Sequence, residues 1–452
     1  MGSTAPVSIA IIGGGIAGLS LAAALLKKPH LDVRVYEAVP AHSDVGAGLA
    51  LHRNALKAMA LLGPEVHQAY LDKAVNIGSG GGSDNDDEAE VEMATEIFFA
   101  WGPHASTAPD QKPVAELGRA KGRKSVSRAD LLAGLLALVP GDKVRFGKRL
   151  TRVEEEETGA GGKVRFEFGD GTAGEADCLL GADGIHSIVR GFVLGEGHPA
   201  RHPVNHDRWQ VYRTVVTREE AIKAGVEERF TRTVPILLGP RGHVNCIPLN
   251  KGTRLSAGVA VRGAAVEGKE VDGPGKDDNE GKGTRELDVG LYKEYTPEAR
   301  AIVDLVARDI SASWAVGDHD HAPVYFKGRV AMLGDAAHAS LPFAGNGAAQ
   351  ALEDAAVLDH LFGRVKQPSQ IEAALGAYDA VRRPRSQAVV DLARKFGRVY
   401  AFAEGDIHED PDKLRDFFTL AGQFTNEADL MKQNEDAMSK MEKSVRGRSK
   451  NN

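Results

Sequence analysis

The chain has 452 residues, 42% hydrophobic and 26% charged, which is enough apolar mass for a real core and more than one simple domain needs. Its formal charge of -7 argues against a nucleic-acid partner. The two cysteines, Cys178 and Cys246, lie in apolar runs, which excludes a disulfide framework or a thiolate metal site and fits a reducing compartment.

Residues 7–12 read as a buried strand, 16–28 as an Ala/Leu-rich helix and 33–37 as a parallel strand, forming one βαβ unit. The apolar stretch 7–26 has no basic leader and is broken by Gly13-Gly14-Gly15, so it is neither a signal peptide nor a membrane span. Pro6 spoils the myristoylation pattern. The expectation is a soluble cytoplasmic protein, monomer or homodimer, with no membrane or nucleic-acid partner.

An amphipathic helix follows at 54–62, and the polar segment 78–90 (GSGGGSDNDDEAE) reads as a surface loop. A Leu-rich helix is expected over 127–139, opened by a capping serine. Strands are expected at 149–153, 163–168 and 176–180, with Gly169-Asp170-Gly171 as a hairpin turn. Four strand-like runs between 209 and 261 predict an antiparallel sheet for a second domain. The segment 263–286 reads as a long loop, 296–310 as helix, 329–333 as buried strand and 347–362 as helix. A helix over 371–399 is expected to break near Pro384, and the charged stretch after Asn426 reads as a frayed helical tail.

Two glycine corners carry the chemistry. Gly13-x-Gly15-x-x-Gly18 follows a strand and opens a helix, where free N–H groups and the helix dipole favour a pyrophosphate. Glu37 stands roughly twenty residues on, where a carboxylate accepts from ribose hydroxyls. A second strand ends at Gly334-Asp335, and Gly345-Asn346-Gly347 opens another helix. Two such corners suggest one large dinucleotide gripped from both ends, and FAD fits better than NAD. Asp335 is placed for a ribityl hydroxyl. The N–H groups after Gly347 are placed for the flavin N1–C2=O edge, where they would stabilise the anionic reduced ring. The alternative is that Gly345 and Gly347 serve packing alone.

Together GGGIAG, VGAGLALHRNAL, SVSRADLL, CLLGADGIHSIVR and VAMLGDAAHASLPFAGNGAAQALEDA resemble the single-component FAD-dependent aromatic hydroxylases, most closely the salicylate hydroxylase-like branch, over residues 7–385. The resemblance implies an α/β fold: a Rossmann-type FAD-binding domain of the para-hydroxybenzoate hydroxylase type, an interleaved antiparallel-sheet substrate domain and a C-terminal helical tail. It implies FAD-domain segments 1–75, 120–198 and 322–398, substrate-domain segments 76–119 and 199–321, and a tail 399–452.

By the same resemblance Gly48 and Ala50 lie along the dinucleotide, Arg128 reaches its phosphate or ribose, and Asp183 serves both FAD and the nicotinamide. Pro342 and Ala348 stand at the isoalloxazine. Arg53 is either a further contact or a solvated charge. The implied reaction is a monooxygenation in which NADH or NADPH reduces FAD and a flavin C4a-hydroperoxide hydroxylates a phenolic acid. Salicylate going to catechol and CO2 is the leading case. A ring hydroxylase or epoxidase acting on a larger phenol is the alternative, and a flavin-binding protein without turnover is the reading from another class.

Arg213 aligns with an arginine that relatives direct into the substrate cavity; its alternative is an outward charge on an alternating strand. Ile247, before Pro248, occupies the place of a tyrosine in dearomatising relatives, and Phe343 the place of a histidine often credited as base. His338 is either chemistry or packing, which leaves the base unassigned. His319 and His321, with Asp318 and Asp320, read as an exposed turn rather than a metal site.

Overall fold

The computed structural model describes residues 5–42, 48–76, 92–106, 111–121, 124–155, 162–250, 252–263 and 286–451. The loops expected at 78–90 and 263–286 lie outside these residues, apart from the ends of the second.

A six-stranded sheet runs in the order Phe326–Lys327, Val330–Met332, Cys178–Gly181, Val7–Ile12, Leu31–Tyr36 and Val144–Arg145. All of its pairs are parallel except the first. Because helices cover both faces, its inner strands are apolar without alternation: Val7, Ile9, Ile11, Leu179, Leu180 and Val330 are all buried. The helix Ile16–Leu25 is buried along its whole length beside the helix Gly347–Phe362.

Register does the assembly. Ile12 pairs with Gly181, and Gly181 with Met332, so three distant motifs leave the sheet side by side at its C-terminal edge, where open α/β sheets bind ligands.

The second sheet has seven strands: Ala312–Asp318, Val204–Thr217, Arg254–Val261, Gly242–Leu249, Val234–Gly239, Glu92–Phe99 and Ala115–Lys121. It is antiparallel as expected, apart from one parallel pair between Val234–Gly239 and Glu92–Phe99. One face packs on the amphipathic helix Pro297–Arg308 through Val244, Ala257 and Val259 against Ile302, Val303 and Val306. The other face turns toward the dinucleotide layer. Glycine makes the junction possible: a Cβ on Gly48 would stand 2.8 Å from Cγ2 of Ile247.

Three local expectations are corrected. An additional strand, Ala173–Ala176, follows the Gly169–Gly171 hairpin. The helix Ile371–Tyr400 runs unbroken through Pro384; the carbonyl that Pro384 cannot bond belongs to Ala380, which is exposed and open to water. The end of the chain is not a frayed tail. The helix Leu430–Asn451 buries Leu430, Ala437 and Met441 in the main core, and Gln433 accepts from the buried Arg382.

Both cysteines are fully buried, and burial raises each thiol pKa, that of Cys246 to about 12.

Candidate active site

The first corner divides its labour among glycines. Gly13 has φ +109°, and a Cβ there would fall 2.1 Å from the Ala182 carbonyl oxygen of the neighbouring strand end. A Cβ on Gly18 would fall 2.0 Å from the Gly13 carbonyl oxygen, so this glycine lets helix and strand close up. Gly15, the N-cap of the helix Ile16–Leu25, is different: a Cβ there would meet nothing within 4 Å. Its space is open at a helix N-terminus, as a pyrophosphate requires. Glu37 lies beside it, accepting from the Gly14 N–H at 2.5 Å and the Val39 N–H at 2.9 Å.

At the second corner single exposed positions interrupt a buried run. Gly334, Ala336, Ala337 and His338 are buried, whereas Asp335 is exposed and makes no hydrogen bond among the described residues. Farther on, Leu341, Phe343, Ala344 and Asn346 are buried, Pro342 and Gly345 are exposed, and Gly347 and Ala348 are half-buried. At this corner the residues expected to touch a flavin, Asp335, Pro342, Gly347 and Ala348, are exposed or half-buried, and most residues between them are packed. The donor set and the open cradle fit FAD.

His338 is placed otherwise. Its Nε2 lies 2.6 Å from Asp354 Oδ2, both side chains are shut away from solvent, and the same oxygen accepts the Gly334 N–H at 2.8 Å. The imidazole braces the carboxylate that fixes the glycine corner instead of facing a substrate, so the structure favours packing over chemistry for His338.

A buried polar layer continues from this pair. Arg382 donates to Asp354 Oδ1 at 2.7 Å and to Glu353 Oε2 at 2.6 Å, and Arg385 reaches Glu353 as well. Asn54 bridges Glu353 to Asn346, the N-cap of the flavin-side helix. Burial works against the charges, but His338 and Arg382 hold Asp354 down to about 2. Sequence reasoning missed this layer; Glu353-Asp354 inside an apolar helix was its available signal.

Asp183 accepts from Ser187 Oγ at 2.6 Å and from the Ile188 and Val189 N–H groups at 2.8 and 3.2 Å. Burial raises its pKa and these bonds oppose the rise. The carboxylate therefore shapes its own turn beside the first corner. Arg190, fully buried, donates to the carbonyls of Ala200, Asp320, Ala336 and Ala337, tying that segment to the second corner.

Gly48–Ala50 pairs with Lys124–Ser127, which puts Gly48 opposite Ser127 and next to Arg128. Arg128 is exposed and makes no hydrogen bond or ion pair among the described residues. Arg53 pairs instead with Glu427 at 3.1 Å.

On the inner face of the second sheet, two apolar clusters are separated by a polar row. One holds Trp209, Val211, Ile236, Leu238 and Ala260 with Phe343 and Tyr400. The other holds Val234, Ile247 and Leu249 with Ala50 and Val215. Between them, in register across three strands, stand Arg213, Gly258 and Asn245.

Arg213 Nη1 lies 3.4 Å from Ser256 Oγ, its Cζ lies 5.9 Å from the Trp314 ring centroid, and its buried Nε has no partner. No carboxylate pairs with it among the described residues, and burial pushes its pKa down to about 10. The guanidinium thus faces inward. Burial, helped by the Arg213 charge, lowers His243 to about 3, so that imidazole is neutral. Phe343 packs its ring 4.4 Å from Trp209 and 5.2 Å from His243, inside the apolar seam. Ile247 borders the polar row against Gly48.

The group 318–321 is not an exposed turn. Asp318 and His319 are buried, Arg394 binds Asp318 at 2.6 and 2.9 Å and reaches Asp320, and His321 lies 3.0 Å from Asp391. No helix among the described residues is long and apolar enough to cross a membrane.

Two anion-attracting corners at neighbouring strand ends, with a separate sheet holding an inward cation beside them, define a flavin-dinucleotide-binding fold with an attached substrate sheet. Comparison with known proteins agrees. The FAD binding domain family model matches residues 6–393. A 6-methylsalicylate 1-monooxygenase of Aspergillus terreus is 36% identical over 96% of this chain and 92% of its own. A salicylate hydroxylase of Pseudomonas putida is 33% identical over 87% and 86%. The structure of a salicylate hydroxylase substrate complex superposes with a TM-score of 0.76 at 27% identity, over 96% of this chain and 98% of that one. The chain belongs to the FAD-dependent monooxygenases of the salicylate hydroxylase family; its cofactor is FAD, with NADH or NADPH the reductant usual for that family.

Proposed function

We propose that the protein hydroxylates a phenolic aromatic acid of the salicylate class, the leading reaction being salicylate to catechol with release of CO2. The observation that carries this reading is Arg213: a cation whose Nε is buried with no partner and which has no carboxylate beside it in the described residues. Arg213 is half-buried with no counter-charge beside its enclosed Nε, which is unfavourable, and an anionic ligand relieves it. An aromatic carboxylate or phenolate matches the apolar clusters on either side of the row. The names of the relatives from A. terreus and P. putida point the same way.

In this reading Gly13, Gly15 and Gly18 cradle the pyrophosphate, Glu37 holds the adenosine ribose, and Arg128 neutralises phosphate charge. Asp335 takes a ribityl hydroxyl, Gly347 and Ala348 meet the ring edge, and Pro342 presses on its face. Asp183 keeps the neighbouring turn in shape for both FAD and nicotinamide, and Gly48 and Ala50 flank the dinucleotide.

When bound, FAD supplies the two-electron exchange with NAD(P)H and the activation of O2. One oxygen atom enters the ring carbon that loses its carboxylate, and the other leaves as water. The protein's part is to orient and to exclude. Arg213 fixes the acid and favours the phenolate, because a nearby cation lowers a phenol pKa. The apolar clusters keep water from the site.

The test is a panel of hydroxybenzoates screened for stimulated NADH oxidation, with products identified by mass. Salicylate is expected to yield catechol in step with NADH consumed. Peroxide accumulating without catechol would overturn salicylate as the substrate, and product from a bulkier phenol would favour the secondary-metabolism reading. Replacing Arg213 by alanine is expected to raise KM about a hundredfold, roughly 2.7 kcal/mol, with FAD retained; an unchanged KM removes the assignment.

A further inference from the structure

The polar row contains a second group that the reaction has not yet used. Asn245 sits in the middle of Gly242–Leu249, a strand flanked on both sides, so its openness is not that of an edge. On its own strand His243, Val244, Cys246 and Ile247 are all buried, whereas Asn245 is half-buried. Its amide makes no hydrogen bond among the described residues. Asparagine is disfavoured within strands, and a glycine there commonly marks a site where something approaches closely. Gly258 is such a glycine. It pairs with Arg213 on one side and with Asn245 on the other, and a Cβ there would stand 2.6 Å from Asn245 Oδ1.

Three adjacent strands therefore present cation, bare backbone and amide in one line. At the usual strand spacing the two side chains originate roughly 9.6 Å apart, and the bare glycine between them lets the Asn245 amide lean toward the guanidinium, so that both can meet one small aromatic acid.

We propose that Asn245 determines specificity by hydrogen-bonding the ring hydroxyl of an aromatic acid whose carboxylate is held by Arg213, with Gly258 leaving the amide room to take that position. The proposal rests on the reading of Arg213 given above. An amide both donates and accepts, so it reads a phenol or a phenolate, and a site built to bond a hydroxyl discriminates strongly against the analogue that lacks one.

The holoenzyme is titrated with salicylate and with benzoate, and Kd is read from the change in flavin absorbance. In Asn245→Leu the Kd for salicylate is expected to rise about tenfold or more while that for benzoate moves less than about twofold. In Arg213→Gln both weaken together. Gly258→Ala, whose new methyl displaces the amide, is expected to behave like Asn245→Leu. If Asn245→Leu leaves the ratio of the two Kd values unchanged while Arg213→Gln weakens both, the hydroxyl-reading role is overturned and the carboxylate anchor stands. If Arg213→Gln changes neither Kd, the anchor falls and this proposal falls with it. Should Asn245→Leu fail to retain FAD, Asn245→Ala carries the same comparison.

Discussion

In the roles proposed for them, the glycine corners and the polar row solve the same problem, holding a ligand, by opposite means. At the corners the backbone does the holding: Gly15 leaves room, helix N–H groups face it, and the fixing side chains lie within a few residues or one strand away. In the row the backbone is only a ruler. Arg213, Asn245 and Gly258 come from three strands, and register alone brings them together. Backbone sites tolerate little change in shape, whereas side-chain sites can be retuned one residue at a time. Such a division suits a family with a constant cofactor and varied substrates.

The support beneath the second corner offers the hardest test of that contrast. Arg382→Met leaves Glu353 and Asp354 buried without the counter-charge they share, and a loss of about 3–5 kcal/mol is expected in urea unfolding. A loss no larger than that of a surface substitution would mean that the corner stands without its polar floor. The glycines of the first corner separate packing from binding. Gly18→Ala forces a methyl onto the Gly13 carbonyl oxygen and is expected to destabilise the apoprotein by about 1–3 kcal/mol. Gly15→Ala, whose methyl enters open space, is expected to leave apoprotein melting unchanged and to weaken FAD binding. Equal melting losses in the two variants would break the distinction.

Acid should reveal the sheet's buried imidazole. The folded-state pKa of His243 lies near 3, below the unfolded value of about 6.5, so its contribution is complete above pH 6.5 and is lost as pH falls toward 3. Within that window the slope is expected to approach about 1.4 kcal/mol per pH unit, and His243→Leu should reduce the slope of unfolding free energy against pH. A variant with the wild-type slope would show that the imidazole is protonated in the folded chain. The smallest effect is expected at Arg53. Its exposed pair with Glu427 is worth under about 1 kcal/mol, and Arg53→Ala should leave FAD occupancy at the wild-type level.

The same contrast explains what could be read before the fold was known. Both corners were legible because each is a contiguous motif in which strand, glycine turn and helix follow one another. The sheet was legible as strands because period-two alternation survives in the sequence, and Arg213 as a candidate only through the family resemblance. Asn245 and Gly258 were not, since nothing local marks them as neighbours of Arg213. His338 misled for a related reason: its partner Asp354 lies on another helix, and only the folded corner shows the imidazole spent on the carboxylate that accepts the Gly334 N–H. Pro384 promised a break that the exposed Ala380 carbonyl makes unnecessary.

The sequestered sulfurs have a practical use. Because Cys178 and Cys246 are fully buried and their thiolates are disfavoured, the native chain should resist maleimides and related probes. One cysteine introduced at an exposed position would then be the sole attachment point for a dye or spin label. Opening between the two layers could be followed in the otherwise wild-type enzyme, with no background to subtract.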